Sequence, residues 1–210
     1  AEAKKQIARI AENLEDNLLL IGGLAVNYYN STRNSEDIDL ICSDETARKI
    51  IDEHFNSSDW DRSEENKDDY RPSYLLKHKF KKNYPIIKFG PKIKERGTYK
   101  YMDWDELKEG SNPFDFEGKT YPNVQIPSAE ALCYTKLLSF IDRDINPTSK
   151  LIKDLKDVKD LSSLNHFRID IFLKYIFSNK AGDLIQQEFQ TRLKKINGNF
   201  EDSHFWKIIT

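Results

Sequence analysis

The stretch from Leu18 to Cys42 constrains the fold more than any other. Leu18-Leu19-Leu20-Ile21 is a short apolar run that stops at Gly22-Gly23, the pattern of a buried strand entering a tight turn. Two residues without side chains let the backbone come close to a bulky anion, and the N–H groups opening a following helix can face it. Further on, Asp37-Ile38-Asp39-Leu40-Ile41-Cys42 alternates polar and apolar, which reads as a half-buried strand. On such a strand Asp37 and Asp39 point to one face and Ile38 to the core. Two neighbouring carboxylates repel unless a cation lies between them. A divalent, oxygen-seeking ion, Mg²⁺ or Mn²⁺, would satisfy both together with the phosphates of a substrate. The plainer reading, a solvated strand edge, loses weight because the glycine turn stands upstream at a suitable distance.

The rest of the chain reads as two parts. Lys4 to Leu14 carries Ile7, Ile10, Ala11 and Leu14 on one helical face. A helix is expected to start at Leu24. Ser43 is placed to cap a helix over 45–55 that buries Ala47, Ile50, Ile51 and Phe55. Ser73–Phe80 and Tyr84–Phe89 look like an antiparallel pair. Residues 103–127 are rich in Gly, Pro, Asn and Asp and form the best linker candidate. From Ser128, a cap candidate, the pattern turns helical, with further helices expected over 150–161, 167–178 and 182–196, the last capped by Asp183. The expected architecture is a mixed α/β (α+β) domain over residues 1–126, a sheet with flanking helices, followed by a helical bundle over 127–210.

The glycine turn and the carboxylate pair resemble the nucleotidyltransferase superfamily that includes DNA polymerase β and the minimal nucleotidyltransferases. Arg33-Asn34-Ser35-Glu36-Asp37-Ile38-Asp39-Leu40 is similar, more narrowly, to the AbiEii-type branch, which supplies toxins of certain bacterial toxin–antitoxin pairs. That branch has an Arg and a Ser or Thr shortly before the Asp pair. It also has a helix with Glu and Lys six residues apart, then an Arg, then Arg-Asp-x-x-Asp-Leu. Here these are Glu130, Lys136, Arg143 and Lys156-Asp157-Val158-Lys159-Asp160-Leu161. The resemblance spans roughly residues 18–161. It implies transfer of a nucleoside monophosphate from a nucleoside triphosphate to an acceptor hydroxyl. Asp37 and Asp39 would hold the metal, Gly22 and Gly23 the triphosphate. Arg33, Ser35 and Asp157 would join the nucleotide site, and Lys136 would pair with the triphosphate. Without the resemblance, Lys136 reads as a surface lysine and Asp157 as the partner of Arg143 in an interhelical salt bridge.

One position departs from the family pattern. Its third carboxylate stands on a later strand, and the corresponding stretch here is Pro85-Ile86-Ile87-Lys88-Phe89-Gly90-Pro91. The third place falls to Lys88 or Gly90, neither of which ligates a metal. Asp103 is the nearest acid downstream, in a context that does not match. A more distant acid completes the site, or catalysis is weakened, or the chain is a relative that binds nucleotide or nucleic acid without transferring.

Charge bears on the acceptor. The chain has 33 Lys and Arg against 35 Asp and Glu, which excludes a uniformly basic nucleic-acid coat. The sum conceals a block: Arg71 to Tyr101 has ten basic residues and one acid, with Tyr74, Phe80, Tyr84, Phe89, Tyr99 and Tyr101 between them. Lys77, Lys79, Lys88, Lys92, Lys94 and Arg96 are candidates for an RNA-binding face, by counterion release and base stacking. A charged outer face of a hairpin is the alternative. Cys42 and Cys133 read as buried free thiols in a reducing compartment, and no apolar run approaches membrane-spanning length. The expectation is a cytoplasmic protein whose partners are a nucleoside triphosphate, an RNA or protein acceptor and an antitoxin. A third possibility is an interaction protein working through its helical bundle.

Overall fold

A computed structural model describes residues 2–35, 37–64, 74–90, 95–96, 99–100, 102–142, 148–178 and 182–195. The chain forms two compact units, one of 1–96 with 103–128, the other of 97–102 with 129–210.

The first unit is built on a mixed seven-stranded sheet. Its strands are β1 (Leu18–Ile21), β2 (Ile38–Ile41), β3 (Trp60–Glu64), β4 (Tyr74–His78), β5 (Ile87–Gly90), β8 (Asn112–Phe116) and β9 (Lys119–Ile126), in the order β3-β4-β5-β2-β1-β9-β8. Two short strands, β6 (Glu95–Arg96) and β7 (Tyr99–Lys100), lie outside it. β1 runs antiparallel to β2 and parallel to β9, and β2 runs parallel to β5. Leu18, Leu19 and Leu20 are all buried, so both faces of the sheet are covered at β1. The expected antiparallel pair is present as β4 and β5, and β3 adds an edge in register with β4.

Helices α1 (Glu2–Ala11), α2 (Gly22–Tyr29), α3 (Asp44–His54) and α4 (Trp104–Lys108) complete this unit. Ile7, Ile10, Ala11 and Leu14 are buried as their spacing requires, and so are Ala47, Ile50, Ile51 and Phe55. Ser43 is the N-cap of α3, its hydroxyl oxygen accepting from Thr46 N at 3.1 Å. α2 begins at Gly22 itself, two residues before the expected start. It is tied down at its far end, where the Tyr29 hydroxyl donates to the Pro127 carbonyl at 2.8 Å and accepts from Asn112 Nδ2 at 3.0 Å.

The stretch 103–127, expected as a linker, instead forms α4 and the β8–β9 hairpin of the sheet. Glu117 and Gly118, with φ of 49° and 79°, make the tight turn of the β8–β9 hairpin. Tyr121, Val124 and Ile126 all reach the core, the change of parity between Tyr121 and Val124 coinciding with a register shift in the hairpin. Pro122 and Asn123 disguise that strand in the sequence, yet Asn123 Nδ2 donates to the carbonyls of Ala11 and Leu14.

The second unit contains α5 (Ala129–Asp142), α6 (Thr148–Ser162), α7 (Ile169–Ser178) and α8 (Gly182–Lys195). α5 touches each of the other three, which explains why it is apolar nearly all round. Asp183 lies in the first turn of α8, which starts at Gly182, two residues earlier than a cap at Asp183 allows. Cys42 and Cys133 are both buried free thiols. Among the described residues no helix is long and apolar enough to cross a membrane.

Replacing Ser43 by Ala leaves an orphan N–H at the start of α3. The expected loss is about 1 kcal/mol of stability, read from the midpoint of urea unfolding.

Candidate nucleotide site

In the first unit the candidate site assembles where β1 passes into α2. Gly22 has a φ of +72°, and a Cβ there would lie 2.2 Å from Asp39 Oδ2. A Cβ on Gly23 would lie 2.8 Å from Ser35 Oγ and 3.0 Å from Arg33 Nη2. The two glycines are therefore needed for different reasons. Gly22 supplies a left-handed backbone and room for the Asp39 carboxylate. Gly23 lets Ser35 and Arg33 close over the helix start. The loop carrying them is held by Asn27 of α2, whose Nδ2 donates to the carbonyls of Arg33 at 2.6 Å and Ser31 at 3.2 Å. Sequence reasoning passed over Asn27. Its signal is a polar side chain one helical turn beyond the glycines, facing the loop.

Asp39 lies opposite Ile21 on β1 and Lys88 on β5. Asp37 precedes β2 on the same face, and the pairing with β5 begins at Ile38 N, which donates to the Ile86 carbonyl at 2.8 Å. Register places Lys88 directly opposite Asp39, with Gly90 two residues further along, opposite Ile41. Lys88 Nζ lies 2.5 Å from Asp37 Oδ2 and 3.5 Å from Asp39 Oδ1. Burial alone would lower the Lys88 pKa. The field of Asp39 and the hydrogen bond to Asp37 outweigh burial and hold it above the ordinary lysine value, so the group is an ammonium at neutral pH.

The expected third acid is not supplied by Asp103. Its carboxylate caps α4, accepting from Glu106 N at 3.0 Å, while Glu106 Oε2 accepts from Asp103 N at 2.8 Å. Among the described residues no three His, Cys, Asp or Glu side chains assemble into a metal-binding group. The donor set therefore does not fit a divalent ion as it stands: two carboxylates face a protonated lysine, which donates and cannot ligate.

The basic block resolves into separate fates. Lys88 is turned to the two Asp residues and does not belong to an outer basic face. Lys77 is exposed. Lys79 donates to the Ser57 carbonyl and lies 3.9 Å from Asp61 of β3. Tyr74 and Phe89 are core residues, and Tyr84 stands against Trp60 and His78. Of those four aromatics only Phe80 is presented to solvent, at 75% exposure. Lys92, Lys94 and Tyr101 lie outside the described residues, and Arg96 and Tyr99 are described only as backbone.

In the second unit Lys136 of α5 is not a surface lysine. Its ammonium lies 2.9 Å from Asp157 and 3.2 Å from Asp154 on α6, and both carboxylates are buried. Asp157 is thus paired across helices, with Lys136; Arg143 lies outside the described residues. Glu130 is buried too, and Oε1 accepts from Arg168 N at 2.6 Å, at the entrance to α7. Beside it, burial pushes the Cys133 thiol well above the ordinary range.

The family model described as "Nucleotidyl transferase AbiEii toxin, Type IV TA system" matches residues 7–205. The chain belongs to the AbiEii nucleotidyltransferase family. No curated protein matches it in sequence. Among solved structures it is similar to an antigenic nucleotidyltransferase-like protein from Paracoccidioides brasiliensis, with a TM-score of 0.55 at 16% identity over 99% of this chain and 92% of that one. It is also similar to ANT(2")-Ia in complex with adenylyl-2"-tobramycin, with a TM-score of 0.52 at 17% identity over 91% of this chain and 99% of that one. At these identities the likeness carries the fold. Within that fold, this AbiEii chain has a glycine turn beside an Asp pair, with Lys88 facing both acids.

Substitutions at two positions test the geometry. Gly22→Ala forces a side chain into the Asp39 carboxylate and a left-handed backbone that alone costs about 1–2 kcal/mol. Urea unfolding should show a loss at least that large. Lys136→Met leaves Asp154 and Asp157 buried face to face and should cost about 3–5 kcal/mol in the same measurement. Lys136→Arg should lose much less.

Proposed function

We propose that this AbiEii-family chain transfers a nucleoside monophosphate from a nucleoside triphosphate to an acceptor hydroxyl on RNA or protein. In that reaction the acceptor oxygen bonds to the α-phosphorus and the bond to pyrophosphate breaks. The hydroxyl proton leaves to a carboxylate or to water. The observation that carries the reading is the turn at Gly22, pressed against Asp39, with Ser35 and Arg33 closed over Gly23. It sets the N–H groups and positive end of an eight-residue helix beside a carboxylate pair. The helix start and the Arg33 guanidinium suit the triphosphate, and the acids suit the reacting end. The family's description as a type IV toxin–antitoxin system supports a toxin role with an antitoxin as protein partner.

A second reading is favoured by one observation, the ion pair of Lys88 with Asp37 and Asp39. A site so neutralised suits binding of a nucleotide without transfer.

The deciding experiment incubates the full chain with α-labelled nucleoside triphosphates, Mg²⁺ or Mn²⁺, total RNA and the protein itself. Label should appear on an acceptor and fall at least about a hundredfold in Asp39→Asn. Nucleotide binding by calorimetry with no label transferred would favour the second reading. No binding and no transfer would remove both.

A further inference from the structure

We propose that Lys88 is the resident cation of the Asp37–Asp39 pair, so that the free protein neutralises its two carboxylates with its own side chain and holds no divalent ion there. This rests on the reading of the Asp pair as the reactive face of the site, but not on transfer taking place. Lys88 is not a wandering surface lysine. β5 is locked to β2 in parallel register, with Ile87 opposite Ile38 and Phe89 opposite Leu40. All four of those neighbours are at most 1% exposed. A slip of one residue would drive Lys88 into the core and expose Ile87 or Phe89, so the register is fixed by burial. Alternation then delivers the Lys88 side chain to the face that bears Asp37 and Asp39.

At that position the ammonium has what a bound cation needs. It reaches one oxygen of each carboxylate, at 2.5 and 3.5 Å. Its side chain is 27% exposed, so solvent screens the pair only in part. A divalent ion entering between the carboxylates would meet this ammonium at close range, with repulsion added to the loss of two charge-assisted contacts. It would also lack the third oxygen donor that Lys88 replaces. The site is therefore closed to hard cations by a residue that is part of the sheet, and opening it requires Lys88 to leave.

The test titrates the metal-free full chain with Mn²⁺, followed by electron paramagnetic resonance. The wild type is expected to show no saturable site below about a millimolar. Lys88→Glu, which restores a third carboxylate, should gain one site at least about tenfold tighter, and Asp39→Asn in that background should abolish it. Lys88→Gln keeps the side chain's length and removes its charge. Its melting temperature should fall in chelator and be recovered by Mn²⁺, whereas that of the wild type should not respond. This second variant carries the test if Lys88→Glu fails to fold. A wild type that takes up one Mn²⁺ at about micromolar affinity and loses it in Asp39→Asn overturns the proposal. So does a Lys88→Gln protein whose stability is indifferent to Mn²⁺. Absence of nucleotidyl transfer alongside the expected Mn²⁺ behaviour would count against the proposed function and leave this inference standing.

Discussion

Asp39 has Ile21 on one side and Lys88 on the other because β2 lies between β1 and β5, and the local geometry of the site follows from that double pairing. The register to β1 brings the Asp39 carboxylate against the turn at Gly22, which excludes any side chain there. The register to β5 brings an ammonium to the same carboxylate. The buried partners Ile38, Leu40, Ile87 and Phe89 hold both alignments from the opposite face. Apolar packing on one side of the sheet therefore fixes electrostatics on the other.

The residues of the family signature divide by what they do in this chain. Gly22, Gly23, Arg33, Ser35, Asp37 and Asp39 meet in the first unit and are arranged around open or half-buried groups. The signature residues of the second unit are sunk in helix packing: Asp157 is fully buried against Lys136, and Glu130 holds the backbone entering α7. A motif residue can thus be kept for the integrity of a helix pair as much as for a ligand. Loss of function on mutating Glu130 or Asp157 would carry both meanings until folding is measured separately.

Much of this was legible from the residues because the signals are short-range. Alternation gives β2, the 3.6-residue period gives α1 and α3, a cap gives the start of α3, and two glycines give the turn. What was hidden depends on long-range pairing or on disguise. β9 carries Pro122 and Asn123 inside a strand, so its composition reads as loop until the burial of Tyr121, Val124 and Ile126 is seen. Asp103 offers itself as a metal ligand by position in sequence, and only the reciprocal bonds with Glu106 show that it is a helix cap. Tyr74 and Phe89 look like stacking platforms among lysines, yet strand parity makes them core. Lys88 needed register above all: its alignment to Asp39 is a property of two strands that no local pattern contains.

The placement of β1 has a consequence for how the chain acquires its structure. Leu18 pairs with Val124, about half the chain away, whereas its other neighbour, β2, follows within some twenty residues. During synthesis the glycine turn, the Asp pair and Lys88 are all made before β9 is. Until it does, one edge of an all-apolar strand stands open to any other strand. Non-local pairings of this kind slow folding and lengthen the time such edges are exposed. The nascent chain thus passes through a stage in which the strand that later supports its chemistry is also its most adhesive surface, and the β8–β9 hairpin closes it.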